Sequence, residues 1–409
     1  MASNTAKPRV LIVGGGLGGL TLAQCLRKQG VSFEIFERDR DIVSRQGWAI
    51  GLHTLLEELL ESVPQDMPPF KEKVNHLWPL NLEAQLGLYL QGQRFVVEST
   101  PDAPVIRANR YLLREWLCTE LSIQWGKRAK RVEETEDGVK VHFEDGTTAT
   151  GDILVGADGT NSVVREHVLG RPNDETLKTV PVRIIVGETT LSGEAFERQL
   201  GLGHSGYVQN DWQAGKYFMF VGLKHTNPDG ISGQYYWFIA AEDHDLDNKD
   251  HWIHSMSQSD MLEYAIKQTG GMEPKFTEVI AATPASGMRA GAFILRDAEL
   301  SDLPVSRITL LGDAVHPMAP FRGEGGVHAL RDALNLGRAI GQLSSAGSDE
   351  IKSVLGPYQK EVIERGVPAV IASRNAYKVN ATGNGKVFGW GKAAVIKPEE
   401  TISLKDCRS

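Results

Sequence analysis

Residues 9 to 37, RVLIVGGGLGGLTLAQCLRKQGVSFEIFE, restrict the fold of this chain more than any other stretch. An apolar run ends in a glycine cluster, apolar residues then recur at helical spacing, and a second apolar run ends in an acid. This order predicts strand, turn, helix, strand, the unit from which parallel sheets with helical crossovers are built. Within the GxGxxG pattern Gly14 allows the tight turn, Gly16 lets a pyrophosphate approach the backbone, and Gly19 permits close packing of helix on strand. The helix points its positive end at the phosphates, and Glu37 stands where it accepts hydrogen bonds from ribose hydroxyls. Glycines alone are a weak signal, shared with nicotinamide dehydrogenases and methyltransferases. With both strands, the helix and the terminal acid in place, the stretch predicts a nucleotide-binding unit.

Two later stretches repeat the pattern of strand, glycine turn and helix. Residues 151–170, GDILVGADGTNSVVREHVLG, place Asp158 and Arg165 near such a cleft. Residues 308–336, ITLLGDAVHPMAPFRGEGGVHALRDALNL, put Asp313 at a strand end, where its carboxylate can accept from a sugar or ribitol hydroxyl. Glycines 323, 325 and 326 then let backbone N–H groups approach a ligand that a Cβ would hold off. Three glycine corners far apart in the chain argue for one large cofactor touched in three places. FAD suits that better than NAD or a methyl donor. A short extended segment, Gly47 to Leu52, has two glycines suited to passing under a flat ring.

These stretches resemble the class A flavoprotein monooxygenases, the para-hydroxybenzoate hydroxylase-like family, and its fungal natural-product branch in particular. The shared motifs are GADGxxSxxR (Gly156 to Arg165), the Gly312-Asp313 pair, GxxIxL (Gly47 to Leu52) and RxxLxxxL (Arg110, Leu113, Leu117). The resemblance implies that Gly51 contacts the cofactor, that Arg110 lies beside the flavin side chain, and that Gly325 and Gly326 lie near the isoalloxazine. Arg165 either orients a nicotinamide donor or braces Asp158. Val327 departs from the pattern, since many members carry Asn there, and the sequence stops near 409 without the thioredoxin-like domain of the phenol hydroxylase branch.

The implied chemistry is that NADPH or NADH reduces FAD, O₂ adds at the flavin C4a, and one oxygen passes to an activated ring or alkene. Arg183 interrupts an apolar strand, where a charge is costly unless paired or functional. By resemblance to fungal members, Arg183 and Tyr217 are the candidate catalytic residues, set against substrate and flavin oxygen adduct. Trp212, Tyr217, Tyr235 and Trp237 are candidates for pocket or core. The same superfamily also holds flavin-dependent dehydrogenases, reductases and halogenases, although no WxWxIP segment marks a halogenase here. A flavin-binding regulatory module without turnover is the alternative outside enzymology.

A chain of 409 residues exceeds one ordinary core. The expected class is α/β: a Rossmann-like FAD-binding domain with an interleaved, mostly antiparallel β-sheet substrate domain and C-terminal helices. The FAD-binding domain takes residues 1–73, 101–175 and 286–345. The substrate domain takes an excursion at 74–100 and the β-rich stretch 176–285, and helices and tail fill 346–409. A second literal GxGxxG, Gly201 to Gly206, follows a helix-like run and lacks a feeding strand, so it reads as a loop. A net charge of −8 without a basic stretch argues against nucleic acid, and favours a small-molecule substrate. Three scattered cysteines indicate neither a disulfide framework nor zinc. No apolar run is long enough to span a membrane, so a cytoplasmic location is expected; the oligomeric state is open.

Overall fold

The computed structural model describes residues 7–407 except 43–48, 53–54, 91, 103, 210–216 and 377–393. Arg45, Gly47 and Trp212 therefore lie outside the described residues. Two sheets organise the chain. The first is parallel, with strands in the order Ile308–Leu310, Ile153–Gly156, Val10–Val13, Phe33–Glu37 and Ile123–Trp125. Val10, Leu11 and Ile12 are fully buried, as expected for a strand covered on both faces.

Register in this sheet determines where the glycine corners emerge. Val13 pairs with Gly156, and Gly156 pairs with Leu310, so three strands end level and their loops leave side by side. The fingerprint helix, Leu17–Gln29, packs against the helix Gly325–Gly341 through small residues. A Cβ on Gly18 would stand 2.5 Å from Leu311, and one on Gly337 would stand 2.7 Å from Cys25. A three-stranded antiparallel unit, Ala129–Thr135, Gly138–Phe143 and Thr148–Gly151, flanks the sheet.

The second sheet has seven strands, ordered Val182–Ser192, Ser232–Glu242, Phe218–Thr226, Gly206–Gln209, Gln85–Leu90, Gln93–Glu98 and Val395–Ile396. All its pairings are antiparallel except that of Gly206–Gln209 with Gln85–Leu90. Its alternation separates two cores. On one face Ile185, Tyr207, Tyr235 and Trp237 pack under helices Gly193–Leu202, Gln258–Thr269 and Pro274–Ala281. On the other, Ile184, Val186, Phe218 and Phe238 meet Ala319 and Phe321 of the loop after Asp313. The tail returns to this domain: Val395–Ile396 extends the sheet and Leu404 is buried in the helix-covered core.

Where C-terminal helices were expected, the described residues hold one long helix from Ser348 to Asn375 with Pro357 and Pro368 inside it. Each proline removes a backbone bond and costs about 3 kcal/mol in an isolated helix. Tertiary anchors hold this one together. Tyr358 donates to Leu310 O at 3.0 Å, Gln359 donates to Ile308 O at 3.2 Å, and Arg365 pairs with Asp332.

Asp332, fully buried, is the junction of that helix with the third corner. It accepts from the Gly312 amide at 2.7 Å and from His316 at 2.7 Å, as well as from Arg365. Burial alone would raise the Asp332 carboxyl, but His316 and Arg365 bring it down to about 2. Burial likewise opposes charge on His316, and Asp332 reverses this and raises the imidazole above 6.5. The Asp332 contribution is present above its ordinary value of 3.8 and is lost as pH falls through the depressed one. The His316 contribution is present below 6.5 and is lost as pH rises through the raised value. Asp332→Asn is expected to cost about 3–5 kcal/mol in denaturant unfolding. The gap from wild type should be widest between pH 3.8 and 6.5, narrow above it as the His316 part is lost, and narrow below it as Asp332 is protonated; a gap independent of pH would count against the ionic network.

Candidate active site

The three glycine corners meet. Gly14 has φ +118°, and a Cβ there would stand 2.2 Å from Ala157 O. A Cβ on Gly19 would stand 2.0 Å from Gly14 O, so these two glycines are required by the protein's own backbone. Gly16 differs: its φ is −80° and nothing lies within 4 Å of where a Cβ would point. Its want of a side chain is therefore not required by the protein's own packing. It begins a helix with no side-chain cap and no acid in the first turn, which leaves amides open to an anion.

A cleft of about 270 Å³ follows this corner, lined among others by Gly14, Gly16, Glu37, Arg110, Asp158 and Gly159. Glu37 is buried, with its two oxygens accepting from the Gly15 amide at 2.7 Å and the Asp39 amide at 2.9 Å. Each oxygen keeps a lone pair for a ribose hydroxyl. Arg114, which sequence reasoning passed over, donates to Gly15 O at 2.8 Å and stands 3.5 Å from Glu37. Its signal was present in the helix that carries Arg110, four residues on and thus on the same face. Arg110 is exposed at the first position of that helix and lines the cleft.

Asp158 faces its own helix. It accepts from the Ser162 hydroxyl and from the Val163 amide at 2.8 Å, and burial raises its carboxyl above the usual range. Arg165 is buried and donates to Asp313 O at 3.3 Å, Ala314 O at 3.1 Å and Thr160 O at 2.5 Å. It thus staples the second corner to the third. Thr160 donates to Asp313 at 3.4 Å across the same junction, and the Asp313 side chain is exposed. Beyond it the helix Gly325–Gly341 starts without a side-chain cap. Gly326 is needed for packing, since a Cβ there would stand 2.6 Å from Ile50. Gly51 pairs with Arg107 in the two-stranded ribbon that Ile50–Leu52 forms with Ile106–Ala108.

Arg107, which a bland reading of the sequence would leave in solvent, is buried. It donates to Leu223 O at 2.8 Å, to Ser205 O at 2.5 Å and to the Tyr236 hydroxyl. Tyr236 also accepts from the Ala49 amide, so it sits against the segment that leads into the strand Ile50–Leu52. Phe220, Tyr236, Phe238 and Phe218 form a continuous aromatic wall, with centroids 5.5 to 5.8 Å apart, and Phe321 closes it from the third corner.

Arg183 and Tyr217 are not brought to this wall. Ile184 and Phe218 face it, so their neighbours point to the helix-covered side. Arg183 pairs with Asp243, donates to the Tyr264 hydroxyl at 3.1 Å and lies 5.0 Å over the Trp252 ring. Tyr217 donates to Gln268 at 2.7 Å. The charge in the apolar strand is therefore paired, and the geometry gives both residues to helix docking. Tyr235 and Trp237 are core on that same side. The Gly201 to Gly206 pattern is a helix end followed by a strand, packed against Glu400 O and Val221 O.

Residues 7–198 match a family model described as an FAD binding domain. A FAD-dependent monooxygenase of Trichoderma harzianum is 47% identical over 91% of this chain and 94% of its own length. Another, of Emericella nidulans, is 30% identical over 81% and 86%. The fold is shared with Klebsiella pneumoniae HpxO, solved with FAD and uric acid: 22% identity, TM-score 0.70, 91% of this chain and 89% of that one.

Two substitutions separate the roles of the glycines. Gly16→Ala fits the backbone and should leave melting of the flavin-free protein unchanged while lowering bound FAD at least tenfold; Gly14→Ala should abolish soluble protein. Full flavin occupancy in Gly16→Ala contradicts the pyrophosphate assignment. Arg183→Met should cost about 3 kcal/mol in unfolding with unchanged flavin content and unchanged coupling of NADPH use to product; uncoupling at full stability would return Arg183 to the chemistry.

Proposed function

The chain belongs to the class A FAD-dependent monooxygenases, and from that premise we propose that it uses NADPH or NADH to insert one oxygen of O₂ into a bulky, largely apolar natural-product intermediate. The reaction is hydroxylation or epoxidation of an aromatic or alkene, with the second oxygen leaving as water. The observation that supports this reading is that three strands end level, with the first two corners lining one cleft and Arg165 tying the second corner to the third.

The residues present fit FAD. Glu37 would hold the adenosine ribose and the open amides after Gly16 the pyrophosphate, with Arg110 along the cleft, and the exposed Asp313 would take the ribitol. The first-turn amides of Gly325–Gly341 supply donors and a positive helix end to the isoalloxazine, favouring its anionic form. Bound there, FAD supplies the electron transfer and oxygen activation. Phe218, Phe220, Phe238 and Phe321 hold an apolar substrate against the ring and keep water out. Asp158, with its carboxylate engaged by Ser162 and Val163, shapes the second corner as a helix cap, and Arg165 braces corner to corner.

Anaerobic NADPH or NADH is expected to bleach the visible flavin absorbance, and air to restore it. With isotopically labelled O₂ and an extract of the source organism lacking the gene, one compound should gain a single labelled oxygen. Reduced flavin that persists under air, with no labelled product, contradicts monooxygenation and favours a dehydrogenase or reductase.

A further inference from the structure

Arg289 lies in the loop beside the edge strand of the large sheet, and the bridge geometry fixes the direction of its side chain. Gly187 bridges Met288 in antiparallel sense and the Arg289 amide donates to Val186 O at 3.0 Å, which sets Arg289 opposite Val186. Residues opposite one another share a face. Arg289 therefore ends the row Val186, Phe238, Phe220, Val208, Leu88, Phe95 on the aromatic face. It stands two strand spacings, roughly 10 Å, from Phe238, the ring that meets Phe321.

Its guanidinium lies over the Phe293 ring, 4.3 Å from the centroid, and its buried Nε has no hydrogen-bond partner. No hydrogen bond or ion pair to this guanidinium exists among the described residues. Glu188, two residues along the same face of the strand from Val186, is engaged by Lys224 at 3.1 Å. Arg107, deeper on this face, adds a second positive charge held by carbonyls and a phenol. A partly buried guanidinium without a counter-charge is costly unless a ligand supplies one. Stacking on Phe293 fixes its plane and leaves the N–H edge for a planar anion.

We propose that Arg289 recognises an anionic oxygen on the substrate, a carboxylate or a phenolate, while the aromatic row holds the apolar body. This rests on the proposed placement of substrate on the aromatic wall, and it narrows the substrate to amphipathic aromatic acids or phenols. Lys224 and Glu188 neutralise each other at its side, so the preference for an anion depends on Arg289.

The test is calorimetric titration of the FAD-loaded protein with 2-naphthoate, 2-naphthamide and 2-naphthol, the last below and above its own pKa. Either naphthoate binds at least tenfold tighter than the amide, which identifies a carboxylate, or naphthol tightens comparably on ionising, which identifies a phenolate. Arg289→Gln should abolish whichever preference is seen and leave amide binding unchanged, a built-in check on folding; Arg289→Lys should retain part of it. Acid, amide and both forms of the phenol binding within twofold of one another would overturn the proposal, as would a preference that survives in Arg289→Gln. If the protein takes up no FAD, the monooxygenase reading fails by its own measurement, and the acid-to-amide comparison on the flavin-free chain still judges Arg289.

Discussion

Everything at the candidate site depends on a backbone contact that tolerates no side chain. The carbonyl of Ala157 occupies the space where a Cβ of Gly14 would be, and the carbonyl of Gly14 occupies the space where a Cβ of Gly19 would be. These contacts bring the first strand, its helix and the second corner together more tightly than side-chain packing allows. With the strand ends level, the third corner falls into line, and Arg165 fastens it through carbonyls of Asp313 and Ala314. Asp332 holds the same corner from the opposite side. The groove is thus determined by main-chain geometry, which leaves the side chains facing it free to bind.

The large sheet contributes by having two unlike faces. One is a conventional core under three helices, closed by Arg183, Asp243 and Tyr264 at one end. The other carries rings and a few charges, and it is the face that packs against Ala319 and Phe321 of the loop after Asp313. The alternation along Ser232–Glu242 sends Tyr235 and Trp237 to the first face and Tyr236 and Phe238 to the second. Which face a side chain serves is therefore specified by alternate residues of these strands.

This alternation also explains what the sequence could reveal. The nucleotide-binding unit was legible because turn, helix and terminal acid are local, and the corners at Asp158 and Asp313 repeat its logic. That Arg183 needed either a partner or a function was legible too, though the sequence favoured the function and the structure shows a partner in Asp243. Which side of its strand looks at the flavin was not, because that depends on how two sheets dock; a shift of one residue exchanges the faces. Arg107 escaped for the same reason: its partners Ser205, Leu223 and Tyr236 lie about a hundred residues or more away. The single long helix through Pro357 and Pro368 was hidden behind local propensity that tertiary anchors override.

The central claim is that one FAD is gripped at three distant corners at once. Hydrogen–deuterium exchange of the flavin-free protein, titrated with FAD, tests it most directly. Amides around Gly16, Gly159 and Asp313 should gain protection together, with one shared midpoint in FAD concentration. Protection confined to the first corner, or midpoints that separate between corners, would contradict a single continuous site.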